Sequence, residues 1–222
     1  MLQKCILEKM KLVIFNLSTL LSGEHIGGIY KFLAEQFGKG EEFDRIRKEY
    51  KERRKEGPWG LDEVAKLFEG VSCDEFRKAC VLYVDKYIKE EAETILRKLK
   101  EKGIMIGILT SNPYAVIDAL AKKIGIKFDL AVGNEFECVE GKLSGKLREV
   151  IDRYARKEKL EKFISQHNIS KDDIIYVACS LTDIPAAELC GKIFCVDMHD
   201  EELKEKCTYS GNLSELLSYI ER

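Results

Sequence analysis

Short apolar runs rich in β-branched residues recur along the chain. They stand at Lys11-Leu-Val-Ile-Phe15, Ile104-Met-Ile-Gly-Ile-Leu109, Phe128-Asp-Leu-Ala-Val132, Ile174-Ile-Tyr-Val-Ala178 and Lys192-Ile-Phe-Cys-Val196. Runs of this length without polar alternation mark strands buried on both faces of a parallel sheet. Helix-period segments lie between most of them, and that alternation predicts an α/β core wound from strand-helix units. The first run stops at polar Asn16, as a buried strand does on reaching a sheet's carboxyl edge, where ligands gather in open α/β sheets.

Between the first and second strands lie about eighty residues, far more than one crossover needs. They read as helices over 28–36, 41–55, 61–68, 73–87 and 89–102, punctuated by Gly38-Lys-Gly40, Gly57-Pro-Trp-Gly60 and Gly70. Gly103 is a good stop for the last of them. The predicted architecture is a Rossmann-like parallel-sheet core from residues 1–21 and 103–222, with residues 22–102 inserted as a helical cap domain.

Lys and Arg total 37 against 39 Asp and Glu. The two signs are interleaved, so no basic field exists to hold a nucleic-acid backbone, and nucleic acid is not expected as a partner. The N-terminal apolar stretch is too short for a signal peptide and no later run approaches a bilayer span, so a cytoplasmic protein without membrane contact is expected. Eight cysteines would suggest a disulfide scaffold in a small secreted domain. In this longer chain most of them read as reduced, buried core residues. The Lys- and Glu-rich balance is that of heat-adapted proteins, whose cytosol sometimes permits disulfides.

Four segments, Phe15-Asn-Leu-Ser-Thr-Leu20, Gly107-Ile-Leu-Thr-Ser111, Asn134-Glu-Phe-Glu-Cys-Val-Glu-Gly-Lys-Leu-Ser-Gly145 and Val177-Ala-Cys-Ser-Leu-Thr-Asp-Ile-Pro185, fall in a telling order. Their order and spacing resemble haloacid dehalogenase-like phosphatases, and the acidic hairpin ending in Gly-Lys-Leu-Ser-Gly resembles the phosphoserine-phosphatase branch. The resemblance implies an Asp at the end of the first strand that attacks phosphorus, since covalent catalysis splits one hard displacement into two easier ones. It also implies a second Asp two residues on as acid and base, a Ser or Thr that binds phosphoryl oxygens and a Lys that offsets their charge. Acidic residues in the last motif help hold magnesium, which takes hard oxygen ligands.

Carried over residue by residue, the resemblance places Asn16 at the nucleophile, where a neutral amide is a poor nucleophile. Ser18 stands near the missing second Asp, because this motif is one residue shorter than the family's. Cys179 replaces a principal metal carboxylate with a thiol suited to softer ions. Asp183 survives as a lone carboxylate, so the implied magnesium site is thin. Thr110 matches the phosphate-binding hydroxyl, with Ser111 and Asn112 beside it. Arg156 or Lys157 fills the lysine position, and Glu24 matches an acidic residue near the start of the cap, where a substrate ammonium would sit.

Plainer readings stand beside these. Thr110-Ser-Asn-Pro113 reads equally as a helix start with Pro in an early position, whose backbone N–H groups and dipole would attract an anion. Arg156 and Lys157 lie in a charge-crowded stretch where a solvated helix face is the default, and Asp183 would serve as a cap for the helix that follows. Cys190, Cys195, His199 and Cys207 lack the paired knuckle of a zinc site. The chain is therefore expected to bind a small anionic or phosphorylated metabolite without ordinary phosphatase turnover. The alternatives are an active hydrolase working through Asp183 or Cys179, and an interaction protein with a filled cleft.

Overall fold

The computed structural model describes residues 10–23, 27–53, 60–198 and 200–221. A six-stranded parallel sheet forms the centre, in the order β3-β2-β1-β6-β7-β8. Its strands are β1 (Leu12–Asn16), β2 (Met105–Pro113), β3 (Leu130–Asn134), β6 (Ile174–Ala178), β7 (Lys192–Cys195) and β8 (Tyr209–Ser210). A hairpin of β4 (Phe136–Val139) and β5 (Lys142–Leu147) stands apart from it. This is the Rossmann-like α/β sheet expected from the apolar runs.

β1 illustrates why an uninterrupted apolar run makes a central strand. Successive side chains point to opposite faces, so Val13 and Phe15 join one core layer while Leu12 and Ile14 join the other. The first layer packs against α5 (Glu90–Glu101) and α6 (Tyr114–Ile124), the second against α7 (Arg153–His167) and α8 (Ile184–Ala187). Several strand limits differ from the sequence reading, and β8 is not part of it. β3 starts at Leu130 rather than 128 because Asp129 turns its carboxylate back to the Ile106 N–H at 2.7 Å and to Lys100. β8, only two residues long, is too short to leave a periodic signal.

Between β1 and β2 come α1 (Gly28–Gln36), α2 (Gly40–Arg53), α3 (Leu61–Leu67), α4 (Cys73–Tyr87) and α5. Gly57, Pro58 and Trp59, and the expected end of the second helix, lie outside the described residues. Gly103 follows α5 with φ +72°, the left-handed conformation a C-terminal stop requires. The two strands of chain that lead into and out of this insertion are bonded to each other, with Ser22 N–H donating to Tyr87 O at 2.7 Å and Lys89 N–H to Leu20 O at 3.0 Å.

A third attachment joins the insertion to the hairpin. Gly70 N–H donates to Leu143 O at 2.9 Å, Leu143 N–H to Val71 O at 2.8 Å and Cys73 N–H to Gly141 O at 2.9 Å. Phe68 and Phe76 pack edge-on and tilted against Phe136, with centroids 5.8 and 4.8 Å away. Cys73 and Cys138 are joined as a disulfide across this seam, and Cys195 and Cys207 form a second. The reading of most cysteines as reduced is thus corrected for four of them, since pairing depends on spatial approach that spacing does not reveal. Cys80 and Cys190 are buried thiols as expected.

Candidate functional site

β1 and β6 lie side by side in parallel register, Phe15 opposite Val177, so the residues just past their carboxyl ends meet. Asn16 ends β1 and is followed by a 3-10 turn, Leu17–Leu20. Its side-chain oxygen accepts from Ser18 N–H at 3.0 Å while its amide donates to Asp183 at 2.7 Å. Asp183, on the 3-10 turn Leu181–Asp183 after β6, is fully buried.

Five donors converge on the Asp183 carboxylate. One oxygen receives Asn16 Nδ2, Arg156 Nη1 at 2.9 Å and Tyr176 O–H at 3.3 Å. The other receives the backbone N–H groups of Cys179 and Ser180 at 3.0 and 3.1 Å. A carboxylate offers about four lone-pair sites, so its accepting capacity is used in full. Asp183 thus closes the turn before it, and its side chain does not cap α8. This corrects the reading of Asp183 as a cap for the following helix, because the carboxylate is turned inward to the ion pair.

Arg156 comes from the first turn of α7 and is 1% exposed. Its Nη2 donates to Thr182 O at 2.6 Å, and its Nε has no hydrogen-bond partner. Burial works against its charge, but Tyr176 and Asp183 more than offset that, and its pKa stands above the ordinary value. Burial, reinforced by Asp183, pushes the Tyr176 phenol well up. The solvated-face reading of Arg156 is corrected: a charged residue in a polar helix can be buried where a carboxylate awaits it. Lys157, its neighbour, does not line the cleft among the described residues.

A cavity of about 670 Å³ opens over this edge, lined by Asn16, Ser18, Thr110, Arg156, Cys179 and Thr182 among others. The structure thus brings together most of the positions singled out in the sequence. Glu24 lies outside the described residues. Thr110 is buried, and its hydroxyl oxygen accepts from Asn112 N–H at 3.1 Å and Asn112 Nδ2 at 2.9 Å. Those bonds leave the hydroxyl proton uncommitted. Ser111 contributes its backbone, with its carbonyl accepting from Tyr30 O–H at 2.9 Å and Asn134 Nδ2 at 2.6 Å.

The helix-start reading of Thr110-Ser-Asn-Pro113 is corrected as well. The strand continues through Pro113 and α6 begins at Tyr114. Its first residues line a separate pocket beside Phe136. Lys51, Lys89, Asp197 and Asp200 also line the cleft, and sequence reasoning did not single them out. Lys89 pairs with Asp197. Lys89 lies where the insertion returns to the sheet, Asp197 and Asp200 follow the carboxyl end of β7, and Lys51, inside α2, carries no such signal. Among the described residues no group of three His, Cys, Asp or Glu side chains could hold a metal ion, and no helix is long and apolar enough to cross a membrane.

The chain is similar to the phosphoserine phosphatase of Methanocaldococcus jannaschii, with 28% identity over 217 residues covering 96% of this chain and 99% of the relative. Among solved structures it is similar to a phosphoserine phosphatase in apo form, at 24% identity and a TM-score of 0.76, over 95% of this chain and 99% of that one. A phospho-aspartyl intermediate analogue of phosphoserine phosphatase has 25% identity and a TM-score of 0.78 over the same shares. Residues 18–188 match the model of the haloacid dehalogenase-like hydrolases, and the chain belongs to that family, in its phosphoserine-phosphatase-like branch.

Proposed function

We propose that this chain keeps the phosphatase fold but binds a small anionic or phosphorylated ligand without aspartyl-phosphate turnover. The observation that carries the reading is the saturated Asp183 carboxylate. Asn16 supplies an amide where the family reaction needs a carboxylate nucleophile, and that amide is committed to Asp183. The residues here do not fit magnesium. Magnesium takes hard oxygen ligands in near-octahedral geometry, whereas Asp183 is occupied, Cys179 offers sulfur and Arg156 already brings a cation to the carboxylate. No reaction step is therefore routed through a metal.

Among the described residues the groups left for a ligand are the Thr110 hydroxyl proton, the second N–H of the Asn112 amide, Ser18 and the Lys51 ammonium around the cleft. Phosphate and carboxylate groups suit such donors, since hydrogen bonds to a charged acceptor are the stronger kind. In this reading residues 22–102 form a helical cap over a core of residues 1–21 and 103–222, and the cleft lies between them. The cap shields the bound anion from water and strengthens those contacts.

The test is a thermal-shift titration with inorganic phosphate and phosphoserine, with phosphate release from p-nitrophenyl phosphate and phosphoserine followed with and without magnesium. Binding to the native state raises apparent stability by about 2.7 kcal/mol at a hundredfold excess over Kd. The expected result is a raised Tm with no release. Sustained magnesium-dependent release would overturn the reading.

A further inference from the structure

The pocket beside Phe136 has a volume of about 330 Å³, and none of its lining residues lines the cleft over the sheet edge. Both Cys73 and Cys138, the disulfide partners of the insertion and the hairpin, line it. Their exposures differ. Cys73 is 3% exposed, whereas Cys138 is half-buried, beside exposed Val139. A recess of this size admits a small molecule, and Cys138 is the partner it reaches more easily.

The two sulfurs differ as leaving groups as well. Cys73 is the first residue of α4, after the N-cap Ser72, and a helix N-terminus stabilises a thiolate. Of the two acidic side chains in that turn, Asp74 and Glu75, the first is paired with Arg77 at 2.8 Å. Arg77 lines the same pocket. Thiol exchange is faster when the departing sulfur has the lower pKa. Access and leaving group therefore favour the same direction, attack at Cys138 with departure of Cys73.

The position of the bond gives the exchange a consequence. α4 runs for 15 residues from Cys73 to Tyr87, about 22 Å at the usual helical rise. At its far end Tyr87 O accepts from Ser22 N–H, where the insertion's two chain connections meet. At its near end the Gly70, Cys73 and Leu143 N–H groups bond across the seam to the hairpin. Among the described residues the disulfide is the covalent link at that end. Closed, it holds α4 at both ends; opened, it leaves three backbone hydrogen bonds and ring packing to hold the seam.

We infer that Cys73–Cys138 is a thiol-exchange site for a low-molecular-weight thiol, and that opening it loosens the insertion from the hairpin while its two chain connections stay in place. The incoming thiolate forms a bond to Cys138 Sγ as the Cys73–Cys138 bond breaks. The electron pair of that bond leaves on Cys73, whose thiolate takes a proton from water. A second equivalent of thiol attacks the outer sulfur of the mixed disulfide and frees Cys138. Two small thiols are oxidised to one disulfide, and one protein disulfide is reduced to two thiols.

The test treats the full chain, purified without reductant, with 2-mercaptoethanol under native conditions, followed by acid quench, alkylation and peptide mass mapping. The adduct is expected on Cys138 and the alkyl group on Cys73, before Cys195–Cys207 opens, since Cys195 is fully buried. Hydrogen exchange at the Gly70, Cys73 and Leu143 amides is expected to rise at least about tenfold on opening, because a cross-link limits local unfolding. The double variant Cys73→Ser, Cys138→Ser is expected to exchange fast with or without thiol. An adduct on Cys73, or a bond that opens only after denaturation, would overturn the exchange site. Unchanged exchange at the three amides in the thiol-opened chain would overturn its hold on the seam.

Discussion

The carboxyl edge of the sheet is built on opposite terms at its two sides. At β1 and β6, Asn16, Arg156 and Tyr176 all bond to Asp183 and the charge is consumed internally. In the last residues of β2, Thr110 and Asn112 line the cleft with bonding capacity to spare, beside an apolar chamber. The first side resembles a core that happens to be polar, the second a binding site. In a relative that uses both sides for chemistry, the two would act on the same phosphoryl group. In the proposed reading the contrast separates holding an anion from reacting with it.

The contrast predicts that substitutions on the two sides fail differently. Arg156→Ala strands a buried carboxylate and is expected to cost about 3–5 kcal/mol of stability in urea denaturation. A loss under about 1 kcal/mol would mean that the ion pair is not the keystone of that side. Asn16→Ala removes one of five donors and should cost less, about 1–3 kcal/mol. Asn16→Asp, assayed for magnesium-dependent phosphate release, is expected to show none, because Arg156 and Cys179 still stand in the way. Rapid turnover in that single variant would collapse the distinction between the sides.

Thr110→Val tests the other side. It should change stability by only about 1 kcal/mol, while weakening phosphate binding about tenfold or more through loss of a charge-assisted hydrogen bond. The smallest effect concerns how dry the sealed side is. Cys190 packs in the same core layer as Tyr176, and burial pushes its thiol from an ordinary 9.0 up to about 12. A folded-state pKa raised in this way means that stability is fully present below pH 9 and is lost as pH climbs toward 12. Raising the pH from 9 to 10 should cost about 1 kcal/mol at this thiol, and Cys190→Ala should flatten that slope.

Much of this was legible in the chain before folding. The apolar runs around Val13, Ile106, Ile175 and Phe194 located the central strands because burial on both faces leaves no polar alternation to misread. The positions of Asn16 and Asp183 followed from motif register, which left Arg156 and Lys157 both open for the cation. What remained hidden was how they meet. Asn16 and Asp183 are 167 residues apart, and nothing local shows that one consumes the other's bonding capacity. Arg156 sits among charges that point to water, and only the distant carboxylate makes its burial tolerable. Thr110 and Pro113 misled in the other direction, since turn-forming residues there accompany a strand that keeps going.

The Cys73–Cys138 bond closes a covalent ring that contains α4, α5, β2, α6 and β3. A backbone cut anywhere inside that ring leaves both pieces tethered. The molecule would then migrate as a single band on a denaturing gel without reductant and as two once the bond is reduced. Protein nicked between residues 74 and 102 would pass as intact on a gel run without reductant, and would keep its insertion held against the hairpin.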